Sequence, residues 1–110
     1  MTPPPLLAVT MGDPNGIGIE ISAKAWQRRE ADHLAPFFLI GGEKEVTAQV
    51  NSLFPDIPVE VIADPGAARD VFPRALPLLT LAGGLDLAQQ TIEAIRLGVT
   101  FCQSGDASAL

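Results

Sequence analysis

A short apolar run that leads into a turn dense in glycine and proline, and leaves it as an amphipathic run, leaves few folds open. Leu6-Leu7-Ala8-Val9-Thr10 is the apolar run, Met11 to Gly18 carries the turn chemistry, and Ile19 to Trp26 is amphipathic. The order is therefore strand, tight turn, helix, the opening unit of a βα crossover. Asp13-Pro14 initiates the turn, Pro14 fixes φ, and Gly16 and Gly18 keep side chains out of the way. Two uses of such glycines stay open at this point. They let backbone amides at the helix start face an anionic ligand, or they let the helix pack tightly on its strand.

Two general phosphate-binding motifs fail on these residues. Gly16-Ile17-Gly18 is followed by Ile21 where a dinucleotide fingerprint needs a third glycine, and no lysine occurs before Lys24, so there is no P-loop. Past the turn, Ile19, Ala23 and Trp26 recur at helical spacing with Glu20 and Lys24 paired at i, i+4, which predicts a helix running to about Glu30. Trp26 reads as a core anchor rather than a ligand-stacking residue, and His33, the sole histidine, as a helix-end residue rather than a catalyst.

Pro36 to Ile40 is a second strand, ended by Gly41-Gly42, after which a helix from Glu43 through Val46 and Val50 reaches about Leu53. Glu43 stands where a ribose-binding acid could be sought, but without the upstream fingerprint it reads as a first-turn helix acid. Val59 to Ile62 alternates as a β-branched third strand near an edge, closed by Asp64-Pro65-Gly66. From Ala67 to Leu76 the pattern weakens to a helical turn before Pro73, and Leu78 to Leu81 reads as a short strand or extended segment. After Gly83-Gly84, the residues Ala88, Ile92, Ile95, Val99 and Cys102 recur at spacings of four and three. They predict an amphipathic helix over about Leu87 to Gln103, buried along that stripe and terminated at Gly105. Ala107 to Leu110 reads as the beginning of a further strand, so the chain is expected to be a fragment.

Alternating strands and helices with connections of this length predict an α/β fold, doubly wound, with a mainly parallel sheet. At 110 residues with 47% hydrophobic side chains, the chain can bury one core and is not a disordered segment. Seven Lys and Arg against 13 Asp and Glu give a net charge of −6, which argues against nucleic acid or an acidic membrane surface as partner. No apolar run approaches the roughly 18 residues of a membrane span, and the N-terminus lacks the pattern of a secretory signal, so a cytoplasmic protein is expected. Cys102 is the one cysteine; it allows no internal disulfide and reads as a small buried apolar side chain.

Thr10 to Asp13, Pro14, Gly16 to Gly18, Glu20 and Ile21 fit a longer signature, Thr-Met-Gly-Asp-Pro-x-Gly-Ile-Gly-x-Glu. By these residues the chain resembles the N-terminal part of the 4-hydroxythreonine-4-phosphate dehydrogenase family of vitamin B6 (pyridoxine) biosynthesis. Ile19 stands where that family commonly has proline and Asn15 where it commonly has alanine, which leaves room for a paralogue acting on a related phosphorylated hydroxy acid. The resemblance implies an isocitrate/isopropylmalate dehydrogenase-like α/β/α fold in which residues 1–110 are the N-terminal part, with the rest of the fold and its metal site beyond them. It implies an oxidoreductase using NAD or NADP and a divalent metal (Zn, Mg, Mn or Co), a small phosphorylated substrate, and a homodimer. No catalytic residue and no metal ligand carries over onto this chain. Gly12, Asp13, Pro14, Gly16 and Gly18 carry over as a loop near the cofactor cleft. Two other readings stay open: a phosphate acyltransferase-like enzyme, and a non-catalytic ligand- or protein-binding domain.

Overall fold

A computed structural model describes residues 6–10, 18–81, 86–105 and 107. Four strands, β1 (Leu7–Thr10), β2 (Phe37–Gly41), β3 (Val59–Ile62) and β4 (Leu76–Thr80), form one sheet in the order β1-β2-β4-β3, and every pairing is parallel. The helices are α1 (Gly18–Gln27), α2 (Glu43–Leu53), α3 (Ala68–Val71) and α4 (Leu87–Ser104), with a 3-10 turn, Pro65–Ala67, ahead of α3. β1 pairs with β2 from Leu7 opposite Phe37 to Thr10 opposite Ile40.

Because side chains alternate along a strand, each strand feeds two cores. Phe37 and Leu39 of β2, with Leu76 and Leu78 of β4, pack under Ile19, Ala23 and Trp26 of α1 and Val46 and Val50 of α2. Phe38 and Ile40, with Leu79, pack on the opposite side against Ala68 and Val71 of α3 and Ala94 of α4. The result is a three-layer α/β/α sandwich, the arrangement expected from the sequence. Trp26 is an anchor in the first core: its indole Nε1 donates to the Phe72 carbonyl at 2.9 Å, and the Arg29 guanidinium lies 3.7 Å from its ring centroid. Phe37 of β2 meets Phe72 edge to face at 5.0 Å, so the turn that follows α3 is held both to α1, by Trp26, and to β2, by Phe37.

Three expectations need correction. The first helix stops at Gln27, short of Glu30, and the chain from Arg28 to His33 makes turns. The stretch read as Leu78–Leu81 is a longer strand and a central one, flanked by β2 and β3. Pro77 obscured it, since a proline argues against an interior strand. It is tolerated because backbone N–H groups alternate between neighbours: Leu76 donates to Pro58 on the β3 side and Leu81 to Gly41 on the β2 side. The Pro77 nitrogen therefore faces β2, ahead of Leu78, where pairing with β2 begins. Finally, three of the five residues assigned to the buried stripe of α4 lie outward; Cys102 is half-buried against the core, and the Ala88 side chain lies outside what is described. Ile92, Ile95 and Val99 are exposed, whereas Gln90, Ala94 and Gly98 are buried, with Leu97, Phe101 and Cys102 partly so.

Candidate functional site

Parallel strands end on one edge of the sheet, and the chain segments leaving them decide where that edge opens. β2 passes to α2, which lies over the face carrying Phe37 and Leu39, whereas its neighbour β4 passes to α4, which lies over the face carrying Phe38 and Ile40. Connections that leave adjacent strands toward opposite faces leave a crevice between them, the place where open α/β sheets bind ligands. Here the crevice lies beyond Gly41 and Thr80, and the Leu81 N–H to Gly41 carbonyl bond of 3.1 Å is its floor.

Two helix starts meet there. Gly42 is the N-cap of α2 with extended backbone, φ −74° and ψ 132°, and offers no side-chain cap. Asp86 caps α4 in a reciprocal box: its carboxylate accepts from the Gln89 N–H at 2.8 Å, and the Gln89 side chain accepts from the Asp86 N–H at 2.9 Å. The first turns are tied to each other, since Gln90 Nε2 donates to Glu45 Oε1 at 3.3 Å across 45 positions of sequence. A Cβ on Gly42 would stand 2.2 Å from Glu45 Oε2 and 2.6 Å from Gln90 Oε1. A side chain at Gly42 would thus displace the ends of the Glu45 and Gln90 side chains, and the glycine does not answer to a left-handed backbone. The positive ends of α2 and α4 point into the crevice, and Glu45 and Asp86 set negative charge against them.

Thr10 and Gly18, the described residues on either side of the turn singled out in the sequence, lie next to this place. β1 ends at Thr10 on the same edge, beside β2, and α1 begins at Gly18, whose carbonyl accepts from Ser22 Oγ at 2.9 Å. Gly12, Asp13, Pro14 and Gly16 lie outside the described residues. Glu43 is exposed in the first turn of α2, as a structural helix acid would be, and His33 is exposed at the far end of α1. Among the described residues, no three His, Cys, Asp or Glu side chains converge as metal ligands. A second opening on the same edge, about 630 Å³, lies between the ends of β3 and β4 and the outer half of α4; Asp64 and Thr80 are its polar side chains, Ile62, Leu97 and Phe101 its apolar ones. No helix among the described residues is long and apolar enough to cross a membrane.

Sequence reasoning missed the Glu45–Gln90 tie and the place of Gly42. The glycine pairs Gly41-Gly42 and Gly83-Gly84 were the available signal, because they follow the two strands that flank the crevice, but nothing local says that those strands are neighbours.

No protein-family model matches the chain. Curated proteins do: it is 42% identical to the 4-hydroxythreonine-4-phosphate dehydrogenase of Zymomonas mobilis subsp. mobilis over 94% of this chain and 32% of that protein. It is 39% identical to the same-named enzyme of Methylorubrum extorquens, over 94% of this chain and 33% of that protein. Among solved structures, the 4-hydroxythreonine-4-phosphate dehydrogenases of Burkholderia phymatum and Klebsiella pneumoniae superpose with TM-scores of 0.72 and 0.73 at 20% and 24% identity. The match covers 96% and 94% of this chain and 35% of each of those, and it shows that the α/β arrangement is shared. Over nearly all of its length, then, the chain is similar to 4-hydroxythreonine-4-phosphate dehydrogenases, and it spans about a third of the length of the curated relatives it matches.

Proposed function

We propose that this chain is the N-terminal part of a 4-hydroxythreonine-4-phosphate dehydrogenase. The complete protein is a cytoplasmic, homodimeric oxidoreductase that oxidises the secondary hydroxyl of 4-phosphohydroxy-L-threonine with NAD or NADP, after which the β-keto acid loses carbon dioxide, in pyridoxal phosphate synthesis. The observation that carries this reading is the 42% identity to a curated enzyme of that name along 94% of the chain. The signature from Thr10 to Ile21 agrees with it.

The divalent ion that the family resemblance implies is assigned to parts of the longer protein outside the matched third. The contribution of this chain is a rigid sheet edge. Gly12, Asp13, Pro14, Gly16 and Gly18 are assigned to the cofactor cleft, where glycines, having no Cβ, let backbone amides approach the negatively charged part of a nicotinamide nucleotide.

The test is a nicotinamide absorbance assay on the complete protein with 4-phosphohydroxy-L-threonine, NAD or NADP and each of the four metals. Reduced nicotinamide should accumulate with one nucleotide preferred; its absence under every combination overturns the reading. Gly16→Ala and Gly18→Ala test the loop separately: the KM for nucleotide should rise about tenfold, which is roughly 1.4 kcal/mol of lost binding, with the melting temperature held. An unchanged KM with a lowered melting temperature would make these glycines packing residues.

A further inference from the structure

Helix α4 is apolar on two opposite sides. At 100° per residue, Ala94 and Phe101 define the side on the sheet, and Ile92, Ile95 and Val99 fall on the far side, 68%, 46% and 41% exposed. The other exposed large hydrophobics, Ile21, Leu34, Leu53 and Val61, are scattered over α1, the turn after it, α2 and β3. Among the described residues, three of them line up only on α4. A second apolar stripe, flanked by the exposed Arg96 and Gln103, is a surface that further structure can cover. The outer residues are spaced three and four apart, the spacing of a seam that takes the side chains of a second helix into its gaps.

We propose that Ile92, Ile95 and Val99 are the seat of an amphipathic helix of the same polypeptide, contributed by the part of the longer protein outside the third matched here. Area decides between this occupant and a second copy of the chain. Three side chains at these exposures offer on the order of 300 Å², against roughly 800 Å² per partner for a stable association. A seam that small cannot hold a free partner, but it can order a covalently linked helix, whose docking avoids most of the loss of translational freedom. The solved relatives have the necessary extra chain, since this one covers 35% of each. The inference rests on the longer protein that the proposed function also assumes, and not on its chemistry.

The experiment places the photo-crosslinking residue p-benzoylphenylalanine at position 92 of the complete protein, with position 21 as an exposed control, separates one-chain from two-chain products by mass after denaturation, and identifies the peptide joined to each position by mass spectrometry after digestion. A crosslink within one chain at position 92, and none at position 21, is the expected result. A crosslink that doubles the mass would assign the seam to a second copy and overturn the proposal; so would no crosslink at either position. A second measurement covers failure of the altered protein to fold: in the unmodified complete protein, Ile92, Ile95 and Val99 should resist carbene labelling while Ile21 is labelled. Equal labelling of all four overturns the inference. Loss of turnover with the intrachain crosslink intact would count against the proposed reaction only.

Discussion

His33 has φ +52°, the left-handed region that side chains other than glycine and asparagine rarely enter. Its place explains why. The Leu34 N–H bonds the Arg29 carbonyl at 2.9 Å and the His33 N–H bonds the Glu30 carbonyl at 3.3 Å, the paired bonds that close a helical segment and put its turning residue where glycine usually stands. His33→Gly should therefore raise stability by about 0.5–1 kcal/mol in urea unfolding, since the residue is exposed and has little packing to lose. A lowered midpoint would show that the imidazole is needed there. One residue earlier, Asp32 accepts from Arg28 Nε at 2.9 Å and Nη2 at 3.2 Å, and these hydrogen bonds hold its carboxyl below its ordinary value. Glu93 is lowered in the same way by the hydrogen bond from Arg96. A depressed carboxyl group stabilises the fold above its unfolded-state pKa, and that stabilisation is lost as pH falls through the folded-state value. Melting temperature should thus decline on acidification just below the ordinary carboxylate range, and Asp32→Asn should make the decline shallower. An unchanged slope would mean that the exposed pair is screened to nothing.

At the scale of elements, the termini of α4 are specified more fully than those of its neighbours. Its start has the reciprocal Asp86–Gln89 cap, and its end has Gly105 at φ +86° with the N–H returned to the Cys102 carbonyl at 3.4 Å. By contrast, α2 begins on Gly42 with no side-chain cap. Asp86→Ala should cost about 1 kcal/mol, read as a shift in the urea midpoint at constant m-value. The same change should loosen the crevice, because the first turn of α4 carries Gln90 to Glu45. Hydrogen exchange at the start of α2 should then quicken along with that of α4; quickening in α4 alone would show that the tie transmits nothing.

For the molecule as a whole, the three layers place every strand end on one edge, yet the side chains that a dehydrogenase needs for a metal do not gather there among the described residues. The 110-residue chain by itself should bind zinc, manganese and magnesium weakly and show no turnover with nicotinamide nucleotide. Titration calorimetry and an absorbance assay check this, and a tight one-to-one metal complex would relocate the chemistry into this chain.

What the sequence determined by itself was the succession of elements. The apolar run before each glycine turn makes a strand, the crossover lengths require parallel pairing, and the β-branched alternation of Val59 to Ile62 marks an edge, where β3 indeed lies. Trp26 was legible as a core residue because helical spacing put it in line with Ile19 and Ala23. The tertiary structure alone decided which side of α4 meets the sheet. Both of its stripes have helical spacing, and hydrophobicity ranks Ile92 and Ile95 above Ala94 and Gly98. Over a surface already filled by Phe38 and Ile40, however, Ala94 and Gly98 let the helix come close while Leu97 and Phe101 pack beside them, and the isoleucines are left outside. It also decided that β4 is central despite Pro77, and that Glu45 meets Gln90, because strand order brings together segments that local sequence cannot relate.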